Sequence, residues 1–208
     1  IWTCDTDASR EETALAFARI APSSPTPRSE EVPSMTPPTF HVRRARPADI
    51  PALAGYAAEL YRLHHRLDPD RFWDLGGEAP ERVAGRERFF ASQLDDADTR
   101  LLVAEQDDRV VGFAYLTFET HDYADLLESA AWLHDVWVAP EARGGPIADA
   151  LFAHARAEAV AAGHVRMVFT VAATNARAQA FFRRQGARVT MHEMTVDLRE
   201  PAGGDTLE

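Results

Sequence analysis

The chain has 208 residues, 46% of them hydrophobic, and a formal net charge of −11. That length and apolar content suffice for one well-buried domain, while the acidic balance repels phosphate backbones and argues against nucleic acid as a partner. A single cysteine, Cys4, excludes an intrachain disulfide and a cysteine-rich metal site, and the eight histidines show no metal-ligand spacing, so no metal is expected.

No apolar run reaches the roughly 20 residues of a membrane helix. The first residues carry Asp5, Asp7, Glu11 and Glu12 where a secretory signal would be basic and then apolar. A cytoplasmic protein with no membrane partner is the expectation. The acidity suits a cationic small molecule, and it equally serves solubility. All 22 basic residues are arginine, which reads as codon bias.

Residues 1–39 read as a poorly ordered extension, because Ala21 to Thr39 is dense in Pro, Ser and Thr and cannot pack a core. Within it Glu11 to Ile20 has the pattern of a short helix, and Met35 reads as a natural start. The folded pattern runs over residues 40–198, and residues 199–208 read as a frayed tail.

Phe40 to Ala45 is a strand. Pro47 to Leu67 is a helix, with Ile50, Leu53, Ala54, Ala57, Leu60 and Tyr61 at helical spacing and proline in its first turn. After a loop holding Asp68-Pro69-Asp70 and Gly76-Gly77, Pro80 opens a second helix to about Leu94. Arg100 to Glu105 and Arg109 to Phe118 form a hairpin across Asp107-Asp108. The second strand is apolar on both alternating sets, so both of its faces are covered. Ala131 to Val138 is a further strand. Pro146 to Ala162 is a helix closed by Gly163. Val165 to Val171 is a strand, Asn175 to Gln185 a helix ending at Gly186, and Ala187 to Leu198 one long or two short final strands. Helices mixed with a central hairpin indicate an α/β fold with a mixed sheet.

The densest chemistry lies between Val136 and Ala148, where a strand enters a loop, Arg143-Gly144-Gly145, that opens a helix. Glycines let backbone N–H groups turn inward, and a helix start adds free donors and a positive dipole end. This is an anion site suited to a pyrophosphate, or simply a tight strand-to-helix turn. No Gly-Lys-Ser/Thr follows, so it is not a nucleotide P-loop.

The loop resembles motif A of the GNAT superfamily, Arg/Gln-x-x-Gly-x-Gly/Ala, with Arg143 at the first position, Ala148 at the last and Val138-Ala139-Pro140-Glu141 as lead-in. Asn175, Ala178, Phe182 and Gly186 resemble the family's Asn-x-x-Ala-x-x-x-Tyr-x-x-x-Gly. Arg44-x-Arg46 with Asp49, and the Asp107 turn into Val111-Gly112, are similar too. The resemblance implies a GNAT fold, a mixed and mostly antiparallel central sheet flanked by helices. It implies an N-acetyltransferase that uses acetyl-CoA on an amine acceptor the sequence does not name, with a homodimer as a further partner. It assigns acetyl-CoA contacts to Val136, Trp137, Val138, Arg143, Gly144, Gly145, Ile147, Ala148, Asn175 and Phe182. Two positions depart from the pattern. Pro146 stands where the family has glycine and lacks an N–H. Phe182 stands where many members have a tyrosine acid, and its ring also fits core packing with Ala178 and Phe181.

An amine attacks a thioester only when neutral, so a base must take its proton. His134 is the first candidate, since its unperturbed pKa near 6.5 suits the role. Proteins resembling polyamine acetyltransferases place a glutamate at the matching position. Asp135 is second and Glu119 third. Strand alternation puts His134 and Asp135 on opposite faces unless a bulge intervenes. The resemblance places the acceptor pocket among Tyr61, His64, His65, Asp68 and Phe72, facing Glu119, Asp122, Asp125 and Glu128. A GNAT-like acyl-CoA-binding module with weak or lost catalysis, and an unrelated α/β nucleotide-binding domain, are the alternatives.

Overall fold

The computed structural model describes residues 2–3, 39–120 and 127–198. The expectations for the rest of the extension, the Glu11 to Ile20 helix, Asp122, Asp125 and the tail from residue 199 lie outside the described residues.

The elements are β1 (Trp2–Thr3), β2 (Phe40–Arg44), α1 (Ile50–Leu67), α2 (Pro80–Gln93), β3 (Thr99–Gln106), β4 (Arg109–Glu119), β5 (Ala130–Val138), α3 (Ile147–Ala161), β6 (Met167–Val168) and α4 (Ala176–Arg184). Short 3-10 turns, Pro47–Asp49 and Pro140–Ala142, lead into α1 and follow β5. β2 to β5 form an antiparallel meander in the order β5-β4-β3-β2. β1 and β6 both pair parallel with β5, β6 at Ala131 and Trp132 and β1 at Val136 and Trp137. The sheet is therefore mixed and mostly antiparallel.

Two apolar layers sandwich it. On one face Leu102, Leu116, Leu133, Val136 and Val138 pack with Ile147, Leu151 and Phe152 of α3 and with Phe181 and Phe182 of α4. On the other, Val103, Phe113, Tyr115 and Trp137 pack with Leu53, Ala57 and Leu60 of α1 and Phe90 of α2. β4 contributes to both layers, which is why both of its alternating sets are apolar.

Local chemistry fixes the joints. Asp107 and Asp108 hold φ of 50° and 58°, the left-handed pair that a two-residue hairpin turn needs and that aspartate tolerates. Arg43 on β2 grips Asp49 with two hydrogen bonds of 2.6 and 3.0 Å and also bonds Glu105 on β3. Asp49 accepts from the Arg46 N–H as well. This ion group pins the start of α1 to the sheet, and the Arg43 partnership holds the Asp49 and Glu105 carboxyls below their ordinary range.

The final strand is the correction. Residues 187–198 carry no helix, turn, bend or ladder. Val189 and Met191, and then Met194, Val196 and Leu198, alternate as two short strands would, but alternation supplies only half of a ladder and no described strand pairs with them. β6 likewise shortens to two residues. Among the described residues no helix is long and apolar enough to cross a membrane, and no group of three His, Cys, Asp or Glu side chains gathers as a metal site.

Gly112 sits where β4, β5 and α3 converge. A Cβ there would lie 2.7 Å from the Trp137 carbonyl oxygen and 3.2 Å from Leu151 Cδ1. Backbone cannot yield as a flexible side chain does, so Gly112→Ala is expected to destabilise the fold by about 1–3 kcal/mol. A urea midpoint unchanged from the parent chain would show that β5 and α3 are not so tightly apposed.

Candidate functional site

Two structures meet at the end of β5. The first is a bulge. Tyr115 pairs with Asp135 and Leu116 pairs with Leu133, leaving His134 as an extra residue on β5. Leu133 and Val136 both point into the α3/α4 layer. The two residues between them must therefore both face α1 and α2. The bulge thus resolves the alternation problem: His134 and Asp135 share one face.

The His134 ring lies on Tyr115, centroids 4.9 Å apart and 26° between planes. Its Nε2 is 2.8 Å from the Thr117 hydroxyl, and that hydroxyl donates to Glu119 at 3.3 Å. With the hydroxyl proton on Glu119, His134 Nε2–H is the donor to Thr117. Burial lowers His134 to about 4, so it is neutral at neutral pH. Asp135 is buried deeper, and burial raises it to about 6. Tyr61 and Tyr115 are both pushed up to about 12, by burial first and then by the Asp135 charge. Asp135 therefore sits within electrostatic reach of both phenols, and both stay protonated.

The connection from α1 to α2 walls this face. Arg86, buried, donates to the carbonyls of Ala54, Leu75 and Gly77 at 3.1–3.2 Å and fastens the connection to α1. The sequence candidates here divide. His64 is buried with Nδ1 on the Leu60 carbonyl at 2.8 Å, and burial lowers it to about 4. His65 meets the Phe72 carbonyl at 2.8 Å, and Asp68 accepts from the Arg71 N–H at 3.1 Å. These side chains knit the wall together. Tyr61 alone of that set couples to Asp135.

The second structure is the loop after β5. Gly144 holds φ of 82°, the left-handed region that favours glycine. A Cβ on Gly145 would meet nothing within 4 Å. Among the described residues no backbone carbonyl takes the N–H of Gly144, Gly145, Ile147 or Ala148, and the first such bond in α3 runs from Ala150 to Pro146 at 2.9 Å. Pro146 stands at the helix cap, where a missing N–H removes a donor without breaking the helix. Open space, free amides and a helix start fit a pyrophosphate. Arg143 turns back: its Nε donates to the Val138 carbonyl at 2.8 Å and its guanidinium lies 4.5 Å over the Trp137 ring. It braces the loop against the strand.

Val136 and Val138 bury their side chains, so only their backbone edge is available to a ligand, and β1 pairs along that edge at Val136 and Trp137. Asn175 caps α4 by accepting the Ala178 N–H at 3.0 Å and is buried. Phe182 is 2% exposed and stacks on Phe169 with centroids 4.1 Å apart, which places its ring in the core. Thr117 and Tyr115 are the site residues that sequence reasoning missed. Their only signal was register: on β4, Tyr115 pairs with Asp135 and Thr117 with Trp132, on either side of the bulge.

The comparisons with known proteins agree with this geometry. Residues 58–187 match the model of the Acetyltransferase (GNAT) family. No curated protein matches. Among solved structures, the chain is similar to a tetramutant of the BH1408 protein from Bacillus halodurans, at TM-score 0.65 and 19% identity over 76% of this chain and 99% of that one. It is similar to aminoglycoside N-acetyltransferase AAC(6')-Iy in complex with CoA, at TM-score 0.54 and 18% identity over 78% and 96%. It is similar also to a predicted acetyltransferase with acetyl-CoA from Clostridium acetobutylicum, at TM-score 0.56 and 16% identity over 77% and 97%. The family match spans more than half of the chain and contains the strand, the bulge, the amide loop and the capped helix just described: the chain belongs to the GNAT acetyltransferase family.

Proposed function

We propose that the protein transfers the acetyl group of acetyl-CoA to a primary amine of a small molecule or peptide. One observation carries the reading: a single strand, β5, brings His134 and Asp135 together at its bulge and leads, through the Pro140–Ala142 turn, to a loop whose N–H groups meet no backbone carbonyl among the described residues. Two of the structural neighbours were solved with CoA or acetyl-CoA, which supports acetyl-CoA as the donor.

Acetyl-CoA supplies the activated acyl group as a thioester. The chain's own residues do the rest. The amides of Gly144, Gly145, Ile147 and Ala148 hold the pyrophosphate, and the edge of β5 along which β1 pairs at Val136 and Trp137 orients the amide-bearing arm. That arm and β1 would use the same backbone at Val136 and Trp137, so each excludes the other. Neutral His134 takes the amine proton on the nitrogen away from Thr117. Its Nε2–H passes a proton to the Thr117 hydroxyl, which hands its own to Glu119 and so to solvent. Asp135, ionised at neutral pH, draws the cationic acceptor to this face. Phe182 has no ionisable proton to give the departing thiolate; the phenol of Tyr61, on the α1 side, gives its proton to the sulfur and recovers one from solvent.

The test is thiol release from acetyl-CoA over a panel of primary amines. Amine-dependent release is expected, and His134→Gln should lower its rate by about 10²–10⁴-fold, the usual worth of a positioned base, without weakening acetyl-CoA binding. Binding with no release for any amine would favour the module without catalysis. An unchanged rate in the variant would remove His134 from the mechanism.

The buried carboxyl gives a second test. Asp135 rises from 3.8 to about 6 on folding. Between those values the folded state binds more protons than the unfolded one, so its contribution is complete below pH 3.8 and is lost as pH climbs through about 6. His64 and His134, lowered to about 4, act oppositely, and they cancel in a comparison with Asp135→Asn. The melting-temperature advantage of Asp135→Asn over the parent is expected to grow from pH 4 to pH 7. A difference independent of pH would mean that the carboxyl is well solvated.

A further inference from the structure

β5 changes partners along one of its edges. The other edge is taken by β4, from Glu119 to Gly112. On the first edge β6 pairs in parallel at Ala131 and Trp132, and that ladder ends there. Past the bulge, β1 takes over the same edge: Trp2 pairs with Val136 and Thr3 with Trp137, again in parallel. β1 also lies beside α1 and α4, which belong to opposite apolar layers, so it continues the sheet between them. Residues 4–38 join it to β2. A parallel strand uses the N–H and C=O groups of the edge it joins. An extended arm that carries amides needs the same groups, and one backbone edge cannot serve both.

We propose that β1 is an internal competitor of acetyl-CoA. Seated on Val136 and Trp137, it withholds the part of β5 that would hold the amide-bearing arm, and the donor binds fully only to chains from which β1 has left. The inference rests on acetyl-CoA being the donor. A ladder of two residues supplies only a few hydrogen bonds. Each has a modest net worth in water, so a ligand can displace the strand. The tether through residues 4–38 works the other way, because it keeps β1 at a high local concentration. A competitor of this kind weakens the apparent affinity in proportion to the fraction of chains that are open. β1 pairs with none of the residues from Gly144 to Ala148. The seat of the pyrophosphate therefore stays available while the seat of the arm is taken, and the acetyl-CoA concentration sets how many chains are fully engaged.

The test is calorimetric titration of acetyl-CoA into the full chain and into the full-length double variant Trp2→Pro/Thr3→Pro. Only alternate residues of a strand turn their N–H toward a given neighbour, so proline at both positions removes the donor whichever of the two faces β5. The variant should bind acetyl-CoA about tenfold more tightly, the loss of a weak ladder. The nucleotide half of CoA, which has the pyrophosphate and lacks the arm, should bind both chains alike. Equal or weaker acetyl-CoA binding by the variant would overturn the competition and leave the donor reading standing. An equal gain for the nucleotide half would place the effect away from the arm and overturn it too. Acetyl-CoA binding to neither chain would overturn both readings. Hydrogen exchange without ligand reports on β1 itself. A peptide covering residues 135–139 should exchange faster in the variant than in the parent. Equal exchange would show that β1 is off the edge in solution, and would overturn the proposal.

Discussion

Everything at the site depends on one extra residue in β5. With Leu133 and Val136 both committed to the α3/α4 layer, the backbone between them must spend two residues on the opposite face. That constraint turns His134 and Asp135 into neighbours, seats the imidazole on Tyr115 and brings Nε2 to Thr117. It also ends the strict pleat just before Val136, where β5 leaves β6 and goes on toward the amide loop. A regular strand of the same sequence would bury one of the two titratable side chains in the α3/α4 core and part His134 from Asp135.

The electrostatics follow from that packing. Desolvation moves the imidazole down and the carboxyl up, so at neutral pH the face holds a neutral base beside an anion, with two phenols that keep their protons. The loop beyond the C-terminal end of β5 is built for the opposite sign: backbone N–H groups and the start of α3 present partial positive charge. Under the proposed function, an anionic donor and a cationic acceptor would meet surfaces of opposite sign a few residues apart along one strand. Gly112, which lets the backbones of β4 and β5 approach beside Leu151, sets how closely the two surfaces are held to the rest of the sheet.

Much of this was legible in the residues. The hairpin turn at Asp107-Asp108, the helix spans, the amide loop and the Asn175 cap each rest on local chemistry, which a sequence displays directly. The shared face of His134 and Asp135 was not, because a bulge is decided by which of two registers buries more apolar surface, and that needs the partner strand. The same holds for Thr117 and Tyr115, ordinary strand residues until their pairing is known. His64 misled for a related reason: one position on a helix cannot tell a wall residue from one turned into the core. Residues 187–198 show the limit most clearly. Their pattern is that of a strand, yet pairing belongs to the ladder as a whole.

The proposed function rests on the loop from Arg143 to Ala148 receiving the pyrophosphate of acetyl-CoA through its backbone. The most direct measurement is calorimetric titration of acetyl-CoA into the parent chain and into Gly145→Glu. Position 145 is the informative one, since its backbone is not left-handed and a Cβ there meets nothing, whereas any side chain at Gly144 would add backbone strain. Binding to the parent and its loss in Gly145→Glu are expected, with melting of the unliganded variant unchanged. Equal affinity in both chains, or no binding to the parent, would contradict the proposed function.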